Sequence, residues 1–176
     1  MIGIVGLGPS HDEAPGNIEL WGLPWDHRAY EYERLFEMHD RSLFAQEEAG
    51  RGGDYLKRLQ SFEVPIYMQK TFADIPNSVA YPLDAVSHLV GDYFGSSPAY
   101  MLAMAILEGV PEIGLWGVDL KDDYDHQRPN LEYLIGFARG YGLKVEVFGD
   151  GKLLTHRPED RLGQILTTYP TRYGWL

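Results

Sequence analysis

Residues 97–148 alternate between helix and strand patterns, which limits the chain to few folds. The pattern predicts, in order, an apolar helix, a strand, an amphipathic helix and a second strand: Ala99–Glu108, Ile113–Val118, Leu131–Tyr141 and Lys144–Phe148. With an N-terminal strand at Ile2–Val5, this is the order typical of a parallel sheet covered by helices. We therefore predict an α/β fold of the three-layer, Rossmann-like type, with a mostly parallel sheet and helices on both faces.

Serines mark the start of the apolar helix. Ser97 is predicted to be its N-cap with Pro98 at the first helical position, and Gly109 ends it. Ser97→Ala is therefore expected to cost about 1 kcal/mol and Ser96→Ala little. Gly95, Ser96 and Ser97 are also a candidate anion site, because a helix N-terminus presents N–H groups. Simple capping is the alternative.

The first half of the chain gives weaker signals. Strands are predicted over 18–21, 34–39 and 64–68, and a polar helix over 42–60 with a break at 50–53. The connection between the first two strands has room for at most one helical turn. No repeat or linker divides the chain, so we expect one domain over 1–176 with an aromatic tail at about 167–176. The tail makes a homodimer plausible.

Composition excludes several functional classes. The formal net charge of −11 argues against a nucleic-acid coat or an anionic-membrane binder, since both need a basic surface. The absence of cysteine excludes disulfide scaffolds, Cys-based zinc sites and thiol nucleophiles. The longest apolar run, Tyr100–Leu107, is far shorter than the ~20 residues that span a bilayer. We expect a soluble, cytoplasmic protein with neither nucleic-acid nor membrane partners.

Ligands of open parallel sheets bind beyond the carboxyl ends of the strands. Five segments are expected to meet there: 6–10, 21–26, 39–41, 95–97 and 119–128. In the first of them, Gly6, Gly8, Pro9 and Ser10 would offer bare backbone N–H groups to a nucleotide. The third glycine of a dinucleotide fingerprint and the Gly-Lys-Ser/Thr of a Walker A loop are missing. A tight turn is the alternative.

The loop 119–128 is the richest polar segment. Its carboxylates could hold Mg²⁺ together with substrate phosphates: Asp119, Asp122, Asp123 and Asp125. His126 is a candidate general acid or base, and Arg128 a candidate ligand for phosphate. Tyr124 is a further candidate substrate contact. A solvated acidic loop is the alternative.

Other residues give ambiguous signals. Trp21 could stack on a base or sugar, although aromatic residues at such spacing are more often core. The pair His11 and Asp12 invites comparison with His-Asp phosphohydrolases, but those are all-helical and this chain is not. His27 has no sequence neighbours that suggest a role.

Two segments resemble the family 42 CMP-sialyltransferases. Residues 5–10 are similar to the Gly-x-Gly-Pro-Ser opening of that family, and residues 93–119 to its block ending in Glu-Ile-x-Leu-x-Gly-x-Asp. The MptE-like 6-hydroxymethylpterin diphosphokinases have a similar opening and block. Small phage-encoded proteins share the layout, including an Ile-Glu-Leu-Trp-Gly second strand. Residues 42–58 and the tail lie outside the resemblance.

The resemblance implies a Rossmann-like fold that holds a nucleotide. By position it implies nucleotide contacts at Gly8, Pro9, Ser10, Ser96 and Ser97 and a strand-end carboxylate at Asp119. The sequence departs from the sialyltransferases in having Leu7, and Gly22-Leu23-Pro24, where that family has asparagines.

Two functional classes remain open. The first is a nucleotide-dependent transferase that moves a glycosyl group from a nucleotide sugar, with His126 or Asp119 taking the acceptor proton, or a diphosphate from ATP. The cofactor is unknown, and only the diphosphate version would use Mg²⁺, on Asp119, Asp122 and Asp123. The second is a non-catalytic nucleotide-binding or sequestering module of the phage type.

Overall fold

In the computed structural model of the chain, residues 1–44, 54–120, 126–151 and 153–154 are described. These ranges contain seven strands: β1 Ile2–Val5, β2 Glu19–Gly22, β3 Arg34–Glu37, β4 Ile66–Met68, β5 Ser78–Ala80, β6 Glu112–Trp116 and β7 Lys144–Val147. They also contain four α-helices: α1 Tyr55–Ser61, α2 Leu83–Val90, α3 Ser97–Leu107 and α4 Arg128–Gly140. Three short 3-10 turns complete the elements: Pro9–Glu13, Ala29–Glu31 and Arg41–Leu43.

All pairings between neighbouring strands are parallel, and the strand order is β5-β4-β3-β2-β1-β6-β7. The chain builds the sheet outward from β1 to β5, returns through α2 and α3, and continues on the other side with β6 and β7. The order therefore reverses between β1 and β6. The predicted α/β fold with a parallel sheet is confirmed.

The connection from β1 to β2 is as short as the sequence predicts. It contains only the 3-10 turn Pro9–Glu13, with Pro9 at its start and Gly8 in extended backbone before it. Because no full helix fits between these strands, the turn stays at the carboxyl end of β1. This places Ser10 and its neighbours beside the point where the strand order reverses.

The sheet buries both of its faces. Since successive strand residues point to opposite sides, Ile4, Trp21 and Leu115 pack on one face with α2, α3 and α4. Val5 and Trp116 lie on the other face, in a core that includes residues of α1 and of the loops around β2. The predicted three layers are confirmed.

Helix α3 lies in the centre of one layer. Its residues from Met101 to Ile106 are all buried, as the sequence predicts for a helix that is apolar nearly all round. Its cap differs from the prediction, because Ser96 is the N-cap and its Oγ accepts a hydrogen bond from the Ala99 N–H at 3.3 Å. Ser97 is the first helical residue. Among the described residues, no helix is long and apolar enough to cross a membrane.

Strand β5 and helix α2 have no counterpart in the sequence-based prediction. Of the polar helix predicted over 42–60, the structure contains the turn Arg41–Leu43 and helix α1, and residues 45–53 lie outside the described part. The aromatic tail at 167–176 lies outside it as well.

The cap of α3 can be tested with the two adjacent serines. Ser96→Ala removes the cap and is expected to lower the free energy of unfolding by about 1 kcal/mol, whereas Ser97→Ala should change it by less than about 0.5 kcal/mol. Urea unfolding followed by circular dichroism measures both. Equal losses for the two variants would contradict the assignment of Ser96 as the cap.

Candidate functional site

A cavity of about 360 Å³ opens where the strand order reverses, beyond the carboxyl ends of β1 and β6. Its lining residues come from the turn after β1, the start of the loop after β6, and the residues after β7: Pro9, Ser10, Glu13, Asp119, Gly149 and Asp150. In open α/β sheets this crevice is where ligands bind. The segments 6–10 and 119 therefore meet as predicted.

Ser10 and Asp119 form the floor of the cavity and are almost completely buried, with 2% and 3% of their surface exposed. The backbone N–H of Ser10 donates to Asp119 Oδ2 at 3.2 Å, and the Ser10 hydroxyl lies 3.1 and 3.3 Å from the two carboxylate oxygens. The Gly117 N–H donates to Ser10 Oγ at 2.8 Å. One serine side chain thus joins the turn after β1 to the loop after β6.

Glycines allow this close approach. The Gly8 N–H donates to the Gly117 carbonyl at 2.7 Å, and Gly117 has a φ of +64°. A Cβ at Gly8 would lie 2.3 Å from Asp119 Oδ2. At Gly149, with a φ of +90°, a Cβ would lie 2.5 Å from Ser10 Oγ and 2.8 Å from Asp119 Oδ1. Side chains at these positions would push the two loops apart.

The cavity is acidic. Glu13 and Asp150 lie exposed on its rim, and the Asp119 carboxylate lies in its floor. Three carboxylates repel a phosphate but accept hydrogen bonds from hydroxyl and amino groups. The cavity is thus suited to the hydroxyl-rich or amino-bearing part of a ligand, and a phosphate would have to lie elsewhere.

The N-terminus of α3 reaches the same edge of the sheet, because α3 leads into the amino end of β6. The predicted contacts Gly95, Ser96 and Ser97 lie here, half-buried apart from the exposed Gly95. The Ser96 hydroxyl caps the helix, and the Gly95 N–H donates to Asn130 Oδ1 at 3.2 Å.

Tyr81 also contacts α3. Burial raises the pKa of Tyr81, whose hydroxyl donates to the carbonyl of Tyr100 within α3.

Asn130 is a site residue that the sequence analysis missed. It is 1% exposed, and its side-chain amide donates to the Tyr93 carbonyl while its oxygen accepts from Gly95. It therefore fixes the loop before α3 to the start of α4. The available signal was its position, since it stands four residues before Leu134 on the apolar face of the predicted helix.

His126 and Arg128 lie at the start of α4. His126 is exposed, and Arg128 Nε donates to Glu132 Oε1 at 2.7 Å, four residues along the helix. The other residues predicted in this loop, Asp122, Asp123, Tyr124 and Asp125, lie outside the described part of the chain. Their roles stay predictions.

Trp21 lies in the core. Its indole is 0% exposed, it stacks on Phe36 at a centroid distance of 5.7 Å, and its Nε1 donates to Glu19 at 2.7 Å. Trp21 is therefore a core residue, and we do not consider it further as a site residue. The reason is the alternation along β2, which turns Trp21 towards the layer of α3.

The turn Pro9–Glu13 is fixed by residues of the loop after β2. Arg28 donates to the carbonyl of His11 at 2.8 Å and to that of Ala14 at 3.1 Å. The fully buried carboxylate of Asp26 accepts from the Arg28 N–H at 3.0 Å and from the Tyr32 hydroxyl. Burial, with the hydrogen bond to Asp26, raises the pKa of Tyr32, which therefore stays a donor. These contacts fix the turn against the loop after β2.

Solved structures with a similar architecture include the sialyltransferase CstII from Campylobacter jejuni. Its complex with CMP-3FNeuAc matches with a TM-score of 0.54 and 20% identity, over 83% of this chain and 79% of that chain. The chain shares the fold of this sialyltransferase. The CstII complex with cytidine-5'-monophosphate gives a TM-score of 0.51 at 21% identity, covering 83% of this chain and 78% of that chain.

An α-2,3-sialyltransferase from Campylobacter jejuni in apo form matches over more of the chain. It gives a TM-score of 0.51 at 14% identity, over 98% of this chain and 94% of that chain. No protein-family model matches this sequence, and the curated proteins give no significant match. The sialyltransferase-like fold implied by the resemblance is confirmed, and the likeness to MptE-like diphosphokinases stays a prediction.

The close packing at Gly149 can be tested against a matched glycine. Gly149→Ala and Gly142→Ala both place a side chain at positive φ, +90° and +93°, which costs about 1–2 kcal/mol. Only Gly149→Ala also forces a Cβ against Ser10, and overpacking adds about 1–3 kcal/mol. Urea unfolding should show the larger loss for Gly149→Ala. Equal losses would contradict the packing around Ser10 and Asp119.

Proposed function

We propose that this chain binds a nucleotide sugar, of the cytidine type, and transfers its glycosyl group to a hydroxyl acceptor. The cavity above Ser10 and Asp119 carries the proposal, because it lies at the ligand-binding edge of a fold shared with CMP-bound sialyltransferases. Its volume of about 360 Å³ is within the range of small-molecule sites.

The charge of the cavity indicates which part of the nucleotide sugar it would hold. Glu13 and Asp150 are suited to accept hydrogen bonds from ribose hydroxyls and from the amino group of cytosine. The phosphate is then directed away from these carboxylates, towards the start of α3 at Ser96 and Ser97, where the helix dipole favours an anion. Asn130 would act on this contact indirectly, by fixing Gly95.

His126 is the proposed general base. In the transfer step, the acceptor oxygen attacks the anomeric carbon, its proton passes to the imidazole, and the nucleotide phosphate leaves with the electrons of the broken glycosidic bond. His126 is exposed at the start of α4, on the same edge of the sheet as the cavity. Arg128, two residues after His126 and the first residue of α4, would attract the leaving phosphate.

Asp119 is proposed as a positioning residue. Its oxygens face the N–H and hydroxyl of Ser10, so its carboxylate already accepts hydrogen bonds in the floor of the cavity. Use of Asp119 as an Mg²⁺ ligand, which diphosphate transfer would require, would compete with these bonds. Glycosyl transfer without a metal leaves the hydrogen bonds between Asp119 and Ser10 intact, and we therefore prefer it.

Thermal-shift measurements test the nucleotide. CMP should raise the melting temperature equally with and without Mg²⁺, and more than UDP, GDP or ATP do. At 100 times its dissociation constant a ligand adds roughly 2.7 kcal/mol. A shift only with ATP and Mg²⁺ would support the diphosphokinase alternative and contradict the proposal, as would no shift with any nucleotide.

Turnover tests the base. Release of CMP from CMP-sialic acid in the presence of a trisaccharide acceptor should fall by about 10²–10⁴-fold in His126→Ala, while the CMP-induced shift in melting temperature is kept. His88→Ala is the control, because His88 is an exposed histidine on α2 outside the proposed site. Unchanged turnover in His126→Ala would refute this role. CMP binding without turnover in the parent protein would support the non-catalytic module.

A further inference from the structure

Two histidines and two aspartates meet where the turn Pro9–Glu13 contacts the loop after β2. His11 and Asp12 come from the turn, and Asp26 and His27 from the loop after β2. His11 Nε2 lies 3.4 Å from Asp12 Oδ1, and His27 Nε2 lies 3.2 Å from the same oxygen. Two imidazole nitrogens from separate loops therefore face one carboxylate oxygen.

The second nitrogen of each ring also faces an acceptor. His11 Nδ1 lies 3.0 Å from the Gly8 carbonyl, which can only accept, so the neutral ring that donates here from Nδ1 keeps its lone pair on Nε2. His27 Nδ1 lies 3.3 Å from the fully buried Asp26 Oδ1, and the neutral ring that donates there likewise keeps its lone pair on Nε2. Each ring thus has a carbonyl or carboxylate on one nitrogen and Asp12 on the other.

This is the arrangement of metal-binding histidines, which donate their second N–H to a carboxylate or a backbone carbonyl. The distances agree with it. In a tetrahedral site with bonds of 2.0–2.1 Å, neighbouring ligand atoms lie about 3.3–3.4 Å apart. The measured separations from Asp12 Oδ1 are 3.4 and 3.2 Å, and the three ligand atoms of His11, Asp12 and His27 all lie within 4.8 Å of one another.

An ion-paired cluster without metal explains the geometry less well. For both Nε2 atoms to donate to Asp12 while both Nδ1 contacts are kept, the two rings would have to be imidazolium cations with centroids 5.2 Å apart and both Nε2–H groups directed at one oxygen. A divalent cation instead leaves both rings neutral and balances the carboxylates of Asp12 and Asp26. Nitrogen-rich ligand sets favour Zn²⁺ and similar transition metals over Mg²⁺ or Ca²⁺.

The frame of the cluster is built before any ion binds. Asp26, which orients His27, is held by the Arg28 N–H and the Tyr32 hydroxyl. The Arg28 guanidinium holds the carbonyl of His11 at 2.8 Å. Since the ligand-bearing segments are already fixed to each other, binding needs little ordering of the backbone.

We propose that His11, Asp12 and His27 bind one divalent ion of the zinc class, with Asp26 positioning the His27 ring. Three protein ligands leave the fourth position for water. The ion fastens the turn Pro9–Glu13 to the loop after β2, and because His11 directly follows Ser10, it also stabilises one wall of the cavity. The proposal does not depend on the proposed transferase activity.

Zinc binding to the full-length chain tests the proposal. Protein freed of metal with EDTA is titrated with ZnCl₂ by calorimetry, and Co²⁺ is added as a spectroscopic probe. We expect one Zn²⁺ per chain, visible absorption typical of tetrahedral Co²⁺, and a rise in melting temperature.

His27→Ala is the decisive variant, because His27 is 67% exposed in its side chain and its loss should leave the fold intact, as circular dichroism can verify. It should weaken Zn²⁺ binding by more than about 100-fold, since a direct ligand contributes more than the 10–100-fold of an outer partner. Asp12→Asn should also weaken it, and His88→Ala should not.

Two results would overturn the proposal. One is the absence of stoichiometric Zn²⁺ binding by the folded protein. The other is equal Zn²⁺ affinity in His27→Ala and the parent, which would mean that surface groups elsewhere bind the ion. Neither result would overturn the proposed nucleotide binding, which the CMP-induced shift in melting temperature measures separately.

Discussion

The contact between Ser10 and Asp119 joins the two halves of the sheet at its carboxyl edge. Both side chains are buried, and a buried carboxylate must be hydrogen-bonded to be tolerated. The Ser10 N–H and hydroxyl meet this need, while the Gly117 N–H fixes the hydroxyl from the opposite loop. The position of the cavity, the orientation of the turn after β1 and the need for glycines around it all follow from this one set of hydrogen bonds.

The turn Pro9–Glu13 connects the cavity with the histidine cluster. Its inner side supplies Ser10 to the cavity floor, and its outer side supplies His11 and Asp12 to the cluster. Arg28 stabilises the turn through two of its carbonyls. A change in the cluster therefore acts on the same backbone that forms the proposed nucleotide site, although the two sites differ in their chemistry.

Much of the fold was predictable because its signals are local. The strands of the second half and the apolar helix α3 follow from periodicity, and the parallel order follows from their alternation. Details that depend on packing were not predictable. Ser96 rather than Ser97 caps α3, because the backbone is still extended at Ser96 and is helical from Ser97 onward. Trp21 was open between ligand and core, and only its neighbours in the sheet place it in the core.

By itself, the sequence determined the class of fold and the segments that meet at the carboxyl edge, because alternation, glycine turns and helix caps are encoded in short stretches. Tertiary structure alone decided which of those polar residues act together. Asn130 and Gly95 are 35 residues apart, and Ser10 and Asp119 are 109 residues apart. His27, which has no informative neighbour in sequence, becomes a candidate ligand only because two loops place it against Asp12. Such pairings depend on how the sheet brings distant loops together, and no local pattern specifies them.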